Sequence, residues 1–247
     1  MTARRLLFAG PLLALTVFMA PAARTADDKD NPAVKPLNRD NARHKQFLEI
    51  VAKGKADVIF IGDSITQGWE GGGKKAWADN FAPLNAVNLG IGGDQTGHVI
   101  WHITEGKELD PIKPKVAVIM IGTNNTGGHS AEQIAGGIKA IIIELKKQKP
   151  EMKILLLGVF PRSGPGLTKD DQVCPKEKLQ PKIKAINAII SKYDDGKTVF
   201  YKDIGEKFLN KDGGLERKVM PDFLHLSPEG YDIWAAAIKD DVAKLMK

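Results

Sequence analysis

The chain has 247 residues, 43% hydrophobic and 27% charged, with a formal net charge of +6. That length suits one α/β domain with a large core, and a lone cysteine, Cys174, excludes an intrachain disulfide scaffold and zinc sites that need several cysteines. The basic excess is modest, with no arginine block or basic–aromatic interleaving, so nucleic acid is not an expected partner.

Arg4 and Arg5 precede a charge-free stretch over residues 6–23, the order of a secretory signal, and Ala20-Pro21-Ala22 offers a cleavage site. Residues 1–22 are therefore expected to be removed, with cleavage as late as residue 26, leaving a secreted or periplasmic product with no stable membrane span. The polar residues 27–38, which include Pro32 and Pro36, read as a disordered lead-in, and residues 39–247 as a single domain.

Within that domain, short and largely β-branched apolar runs recur at residues 58–61, 86–89, 116–121, 154–159 and 198–201, as strands covered on both faces require. Helical patterns lie between them. The clearest covers residues 130–147, where Ser130 and Gln133 have capping-box spacing and Ile134, Ile138, Ile141, Ile142 and Leu145 form one stripe. The last opens with Ser227 as N-cap and Pro228 in the first turn, then aligns Ile233, Trp234, Ile238, Val242 and Leu245. This alternation predicts an α/β fold with a doubly wound, five-stranded parallel sheet.

In such sheets ligands bind beyond the carboxyl ends of the strands, where three polar, glycine-rich loops follow the first three strands. Several motifs there and nearby fail. Gly90-Ile91-Gly92 begins a dinucleotide fingerprint, but Gln95 stands where the third glycine belongs. Residues 68–74 spell GxxxxGK, yet Lys75 follows instead of Ser or Thr, so the segment reads as a flexible loop. His98 and His102 have metal-ligand spacing, but no Glu follows His98, and a half-exposed helix surface is the expected role. Asp63 and Asp94 are assigned to loop scaffolding, the four tryptophans to packing, and residues 161–175 to a pocket wall or lid.

Nucleophilic chemistry fares better. A serine hydroxyl needs a base, a group that orients the base, and N–H donors for the oxyanion. Ser64 stands at the turn after the first strand, and it is not in the G-x-S-x-G elbow of an α/β-hydrolase. Asp222 and His225, three apart before the last helix, can share one loop as orienting carboxylate and base.

Gly62-Asp63-Ser64-Ile65, Gly93, Asn124 and Asp222-x-x-His225 resemble the four ordered blocks of the SGNH (GDSL) hydrolases. Asn88-x-Gly90-Ile91-Gly92-Gly93-Asp94, His98-Val99-Ile100-Trp101, Gly122-Thr123-Asn124-Asn125 and Asp222-Phe223-Leu224-His225-Leu226 are similar to the platelet-activating-factor acetylhydrolase catalytic-subunit branch. The resemblance runs from Val58 to the C-terminus. It implies a flavodoxin-like three-layer α/β/α sandwich, a catalytic triad of Ser64, His225 and Asp222, and neither cofactor nor metal. It also implies an oxyanion hole made by the N–H groups of Ser64 and Gly93 and the Asn124 amide, and a homodimer. Gly93 has no Cβ to obstruct its N–H, and Asn124 donates without acting as a base.

The expected activity is hydrolysis of short-chain, acetyl-type carboxylic esters through an acyl-enzyme, on a small-molecule or carbohydrate ester such as an acetylated sugar. The subunits of that branch are cytoplasmic whereas this chain carries an export signal, so a platelet-activating-factor role is not carried over. Two alternatives stand beside it. A lipase or lysophospholipase would need a larger acyl groove, and a non-catalytic carbohydrate or protein binding module would keep the rim without the chemistry.

Overall fold

The computed structural model describes residues 30–247; the expected signal segment lies outside the described residues. Five strands form one parallel sheet: β1 (Val58–Gly62), β2 (Ala86–Gly90), β3 (Val116–Met120), β4 (Lys153–Leu157) and, after a two-residue strand β5 (Val173–Cys174), β6 (Val199–Lys202). The order across the sheet is β2-β1-β3-β4-β6, with Val58 opposite both Ala86 and Val116, and Ile154 opposite Val199. This is the flavodoxin-like order, in which the chain leaves β1 to one side for β2 and returns past it for β3. Residues at the carboxyl ends of these three strands therefore flank one crevice.

Among the described residues seven α-helices accompany the strands: α1 (Ala42–Val51), α2 (Ser64–Gln67), α3 (Lys74–Asn80), α4 (Thr96–Ile103), α5 (Ala131–Gln148), α6 (Pro181–Ile190) and α7 (Pro228–Leu245). Alternation along each strand splits the core in two. Ile59, Ile61, Ala117, Ile119, Ile154 and Leu156 pack against α1, α4, α5 and α6, while Val58, Phe60, Val118, Met120, Leu155 and Leu157 pack against α2, α3 and α7. The result is the expected three-layer sandwich. Ser130 and Gln133 close a reciprocal capping box on α5, and Ser227 caps α7, which buries Trp234, Ile238 and Val242.

Three expectations need correction. Residues 31–37 are not a disordered lead-in: Pro32–Val34 form a 3-10 turn with Ala33 and Val34 buried, and Thr96 Oγ1 donates to the Ala33 carbonyl at 2.7 Å. The GxxxxGK segment is packed instead of loose, because Gly73 presses on the rings of Trp69 and Tyr231. The third concerns only local structure: the stretch 161–175, expected as a pocket wall or lid, also contains β5, which pairs antiparallel with β7 (Leu215–Glu216) and buries Cys174.

Among the described residues, no helix is long and apolar enough to cross a membrane.

Candidate active site

Ser64 is the first residue of α2, two residues past the end of β1. Its N–H comes too early in the helix for an intrahelical partner. Asp63 caps the helix through Oδ1, which accepts from the Ile65 N–H at 2.9 Å, and the Ile65 carbonyl accepts from Tyr231 Oη at 2.6 Å. Tyr231 belongs to a ring cluster with Trp69 and Trp234, so the serine turn rests on the aromatic core of α7.

His225 and Asp222 reach this turn from the loop before α7. His225 Nε2 lies 2.9 Å from Ser64 Oγ, and Nδ1 lies 2.6 Å from Asp222 Oδ2. The other Asp222 oxygen accepts from the N–H groups of Leu224 and His225, at 3.0 and 2.7 Å. Partial burial opposes ionisation of Asp222, but its bonds to the His225 ring and to these N–H groups hold the carboxyl below its ordinary range. Curling the loop this tightly puts Phe223 at φ 57°, a left-handed conformation that is uncommon for a bulky residue. Burial of its ring beneath the Arg217 guanidinium, 4.4 Å from the ring centre, offsets that strain.

The loop after β2 completes the rim. Gly92 N–H donates to Gln67 Oε1 at 2.7 Å, and its carbonyl accepts from Arg39 Nη2 at 2.6 Å. The Gly93 N–H has no hydrogen-bond partner among the described residues. The backbone adds a reason for glycine at this position. Its φ is +81°, whereas an added Cβ would meet only Arg39 Nη2, at 3.5 Å. Asn124, in the 3-10 turn Thr123–Asn125 after β3, donates one amide hydrogen to the Asp94 carbonyl at 2.9 Å. The second hydrogen of that amide remains for a ligand.

A buried ionic chain that sequence reasoning did not find stands behind this loop. Asp94 Oδ1 accepts from Arg39 Nε at 3.0 Å, and Oδ2 lies 3.0 Å from His102 Nε2. His102 Nδ1 lies 2.9 Å from Glu108 Oε1, which is also 2.7 Å from His44 Nδ1. His102 is therefore buried, not on the half-exposed helix surface expected of it. Burial works against its imidazolium, but Asp94 and Glu108 outweigh that and push its pKa up to about 9. Among the described residues His44, His102 and Glu108 form a group with ligand atoms within 4.8 Å, as a metal would need. His44 Nδ1 and Glu108 are hydrogen-bonded, His102 Nδ1 and Glu108 are in ion-pair contact without hydrogen-bond geometry, and Arg39 with protonated His102 balances the Asp94 and Glu108 carboxylates.

All five residues named for the site thus lie on one rim. His98 is elsewhere occupied: its Nδ1 accepts from the Gln95 N–H in the cap of α4.

The profile of the GDSL-like lipase/acylhydrolase family matches residues 60–233. The chain belongs to that family. Among its GDSL relatives, platelet-activating factor acetylhydrolase IB subunit alpha1 of Homo sapiens is 33% identical over 227 residues, covering 88% of this chain and 92% of the relative. The alpha2 subunit of Rattus norvegicus is 37% identical over 194 residues, 77% of each chain. Of solved structures, a GDSL-like lipase from Bacteroides thetaiotaomicron shares the fold, with a TM-score of 0.62, 23% identity and coverage of 81% of this chain and 97% of that one. An acetyl xylan esterase superposes with a TM-score of 0.57 at 25% identity, over 75% of this chain and 98% of that one. As a GDSL acylhydrolase, the protein is a carboxylic ester hydrolase.

Proposed function

We propose that this GDSL protein is an exported serine esterase that removes short, acetyl-type groups from carboxylic esters, with acetylated carbohydrate as its substrate class. The observation that carries the reading is the continuous contact from Asp222 Oδ2 through His225 to Ser64 Oγ, at 2.6 and 2.9 Å. An ionised Asp222 can only accept, so His225 carries its proton on Nδ1 and leaves Nε2 to accept from the Ser64 hydroxyl. Ser64 Oγ attacks the ester carbonyl as Nε2 takes the proton. The oxyanion then accepts from the N–H groups of Ser64 and Gly93 and the Asn124 amide, each donor contributing about 3 kcal/mol. Collapse expels the alkoxide, which takes the proton from Nε2; water then attacks the acyl-serine by the same route, releasing acid and restoring Ser64.

Two likenesses support the acetyl preference: the relatives are named acetylhydrolases, and the acetyl xylan esterase is similar in structure. Export rests on Arg4, Arg5 and the apolar run that follows. One feature favours the longer-chain alternative. A groove of about 700 Å³ walled by Val159, Leu179, Ile183 and Leu209 reaches Gln180, which also borders the cleft beside Asn124.

Initial rates on 4-nitrophenyl esters from acetate to decanoate test both readings. The expected profile peaks at acetate and falls roughly 10⁴-fold or more in kcat for Ser64→Ala. Asp222→Asn is expected to cost about 10²-fold less than Ser64→Ala, since the carboxylate orients the imidazole without reacting. A peak at long chains moves the assignment to a lipase; activity that survives in Ser64→Ala overturns the serine mechanism.

A further inference from the structure

Beside Asn124 opens a cleft of about 470 Å³ whose polar lining includes Thr123, Thr126, Ser163, Gln180 and a single charged side chain, Arg162. Arg162 follows Pro161 in the strap after β4, and its backbone is fixed from both sides. The Gln180 N–H donates to its carbonyl at 2.9 Å, and the next N–H, of Ser163, donates to the carbonyl of Phe223 at 3.0 Å, in the loop that carries His225. The guanidinium is thus presented from a held backbone, whereas its five donors are nearly idle. Nη1 reaches Thr123 Oγ1 at 3.4 Å, Nε is buried with no partner, and among the described residues no carboxylate pairs with Arg162.

A second cation reinforces the field. Lys182 Nζ donates to the carbonyls of Thr126 and His129 at 2.6 and 2.7 Å, behind the same wall, and it too has no carboxylate partner among the described residues. The carboxylate of the rim, Asp222, already faces His225. A cleft whose lone charged lining group is a guanidinium with nearly unpaired terminal nitrogens is suited to a planar anion, because Nη1 and Nη2 can serve two oxygens at once.

We propose that Arg162 is a specificity-determining residue, which selects acyl esters bearing an anionic group, a carboxylate first, close to the scissile bond. This rests on the serine-esterase reading of the same rim and narrows its substrate class to acidic esters, such as acetylated acidic sugars. The anion adds binding without taking part in proton transfer, so its effect belongs in KM more than in kcat.

The test compares 4-acetoxybenzoate with methyl 4-acetoxybenzoate, a pair that differs in one charge and one methyl group, and adds 4-acetoxyphenyl phosphate as a second anion. The wild-type chain is expected to favour the carboxylate over its methyl ester by about tenfold or more in kcat/KM. Arg162→Gln removes that preference, chiefly through KM, and leaves the neutral ester within about threefold; Arg162→Lys restores part of it. The phosphate arm shows whether the fork serves any anion or the carboxylate alone. Equal use of the acid and its methyl ester by the wild type, or equal loss of both in Arg162→Gln, overturns the proposal. Absence of Ser64-dependent hydrolysis of the neutral ester defeats the esterase reading instead. Arg162 is then judged by calorimetric binding of 4-acetamidobenzoate, which must weaken in Arg162→Gln for the site to stand.

Discussion

Asp63 shows how a residue next to the proposed nucleophile serves structure at a price set by pH. It is fully buried, one oxygen caps the Ser64 helix, and the other, Oδ2, has no partner. Burial dominates and raises its pKa to about 7; the Ile65 N–H pulls the other way, and the charge of Asp94 adds to the rise. A carboxyl whose folded pKa is raised holds more protons folded than unfolded, so stability falls as pH rises from about 3.8 to 7 and is level beyond. Asn at this position keeps the cap oxygen and carries no charge. Asp63→Asn is therefore expected to gain in Tm over the wild type from pH 4 to pH 7, with a constant advantage above; a difference that does not vary with pH refutes the assignment. The five residues proposed for the site could be picked out because each sits in a short block whose chemistry is local: a serine at a strand end, a glycine, an asparagine, and a carboxylate three residues before a histidine. The left-handed φ of Phe223 had no such signal, since it follows from both Asp222 oxygens being used within its own loop.

The loop of Gly92, Gly93 and Asp94 is held as an element by side chains distant in sequence. Arg39 grips it at Gly92 and Asp94, and His102, from the last turn of α4, holds Asp94 against Glu108. Neither Arg39 nor Glu108 lies within any motif, so their part in the site emerges only when the fold brings the segment before α1, α4 and the loop after α4 together. His102 faces Asp94, Glu108, His44 and, more distantly, His98. Its pKa of about 9 lies above the ordinary 6.5, so the stability it contributes is complete below pH 6.5 and is lost as pH climbs through 9. The Tm penalty of His102→Gln should accordingly be largest near pH 6 and shrink by pH 10. A penalty that is flat with pH means the ring is held for its shape alone.

At the scale of the whole molecule, the segment 31–37 packs across the neighbouring helices α4 and α5. An added Cβ at Gly97 of α4 would lie 2.4 Å from the Lys35 carbonyl oxygen, and one at Gly137 of α5 would lie 2.7 Å from that of Ala33. Glycine in a helix interior costs about 1 kcal/mol against alanine, and here it admits a backbone that closes the sandwich. Asn31 adds a bond to the Gln133 carbonyl at 2.9 Å, and Leu37 N–H one to Gly97 at 3.0 Å. The strands were legible because a parallel sheet buried on both faces demands continuous apolar runs, and α5 because its cap and stripe agree. The segment 31–37 was not, because its two prolines and the charged run 27–30 before it are those of a linker while its binding is carried by backbone carbonyls and by Val34. A chain beginning at residue 39 is expected to lose about 2–4 kcal/mol relative to one beginning at residue 27, read from urea denaturation. Equal stability of the two contradicts the packing described for this segment.

The central claim is that Ser64 is a nucleophile activated by His225, and covalent capture tests it most directly. The protein is treated with a fluorophosphonate, weighed intact and mapped by peptide mass. A single phosphonyl group on Ser64, absent from Ser64→Ala and formed orders of magnitude more slowly in His225→Ala, is the predicted result. Labelling on another residue, or at an undiminished rate without His225, contradicts it.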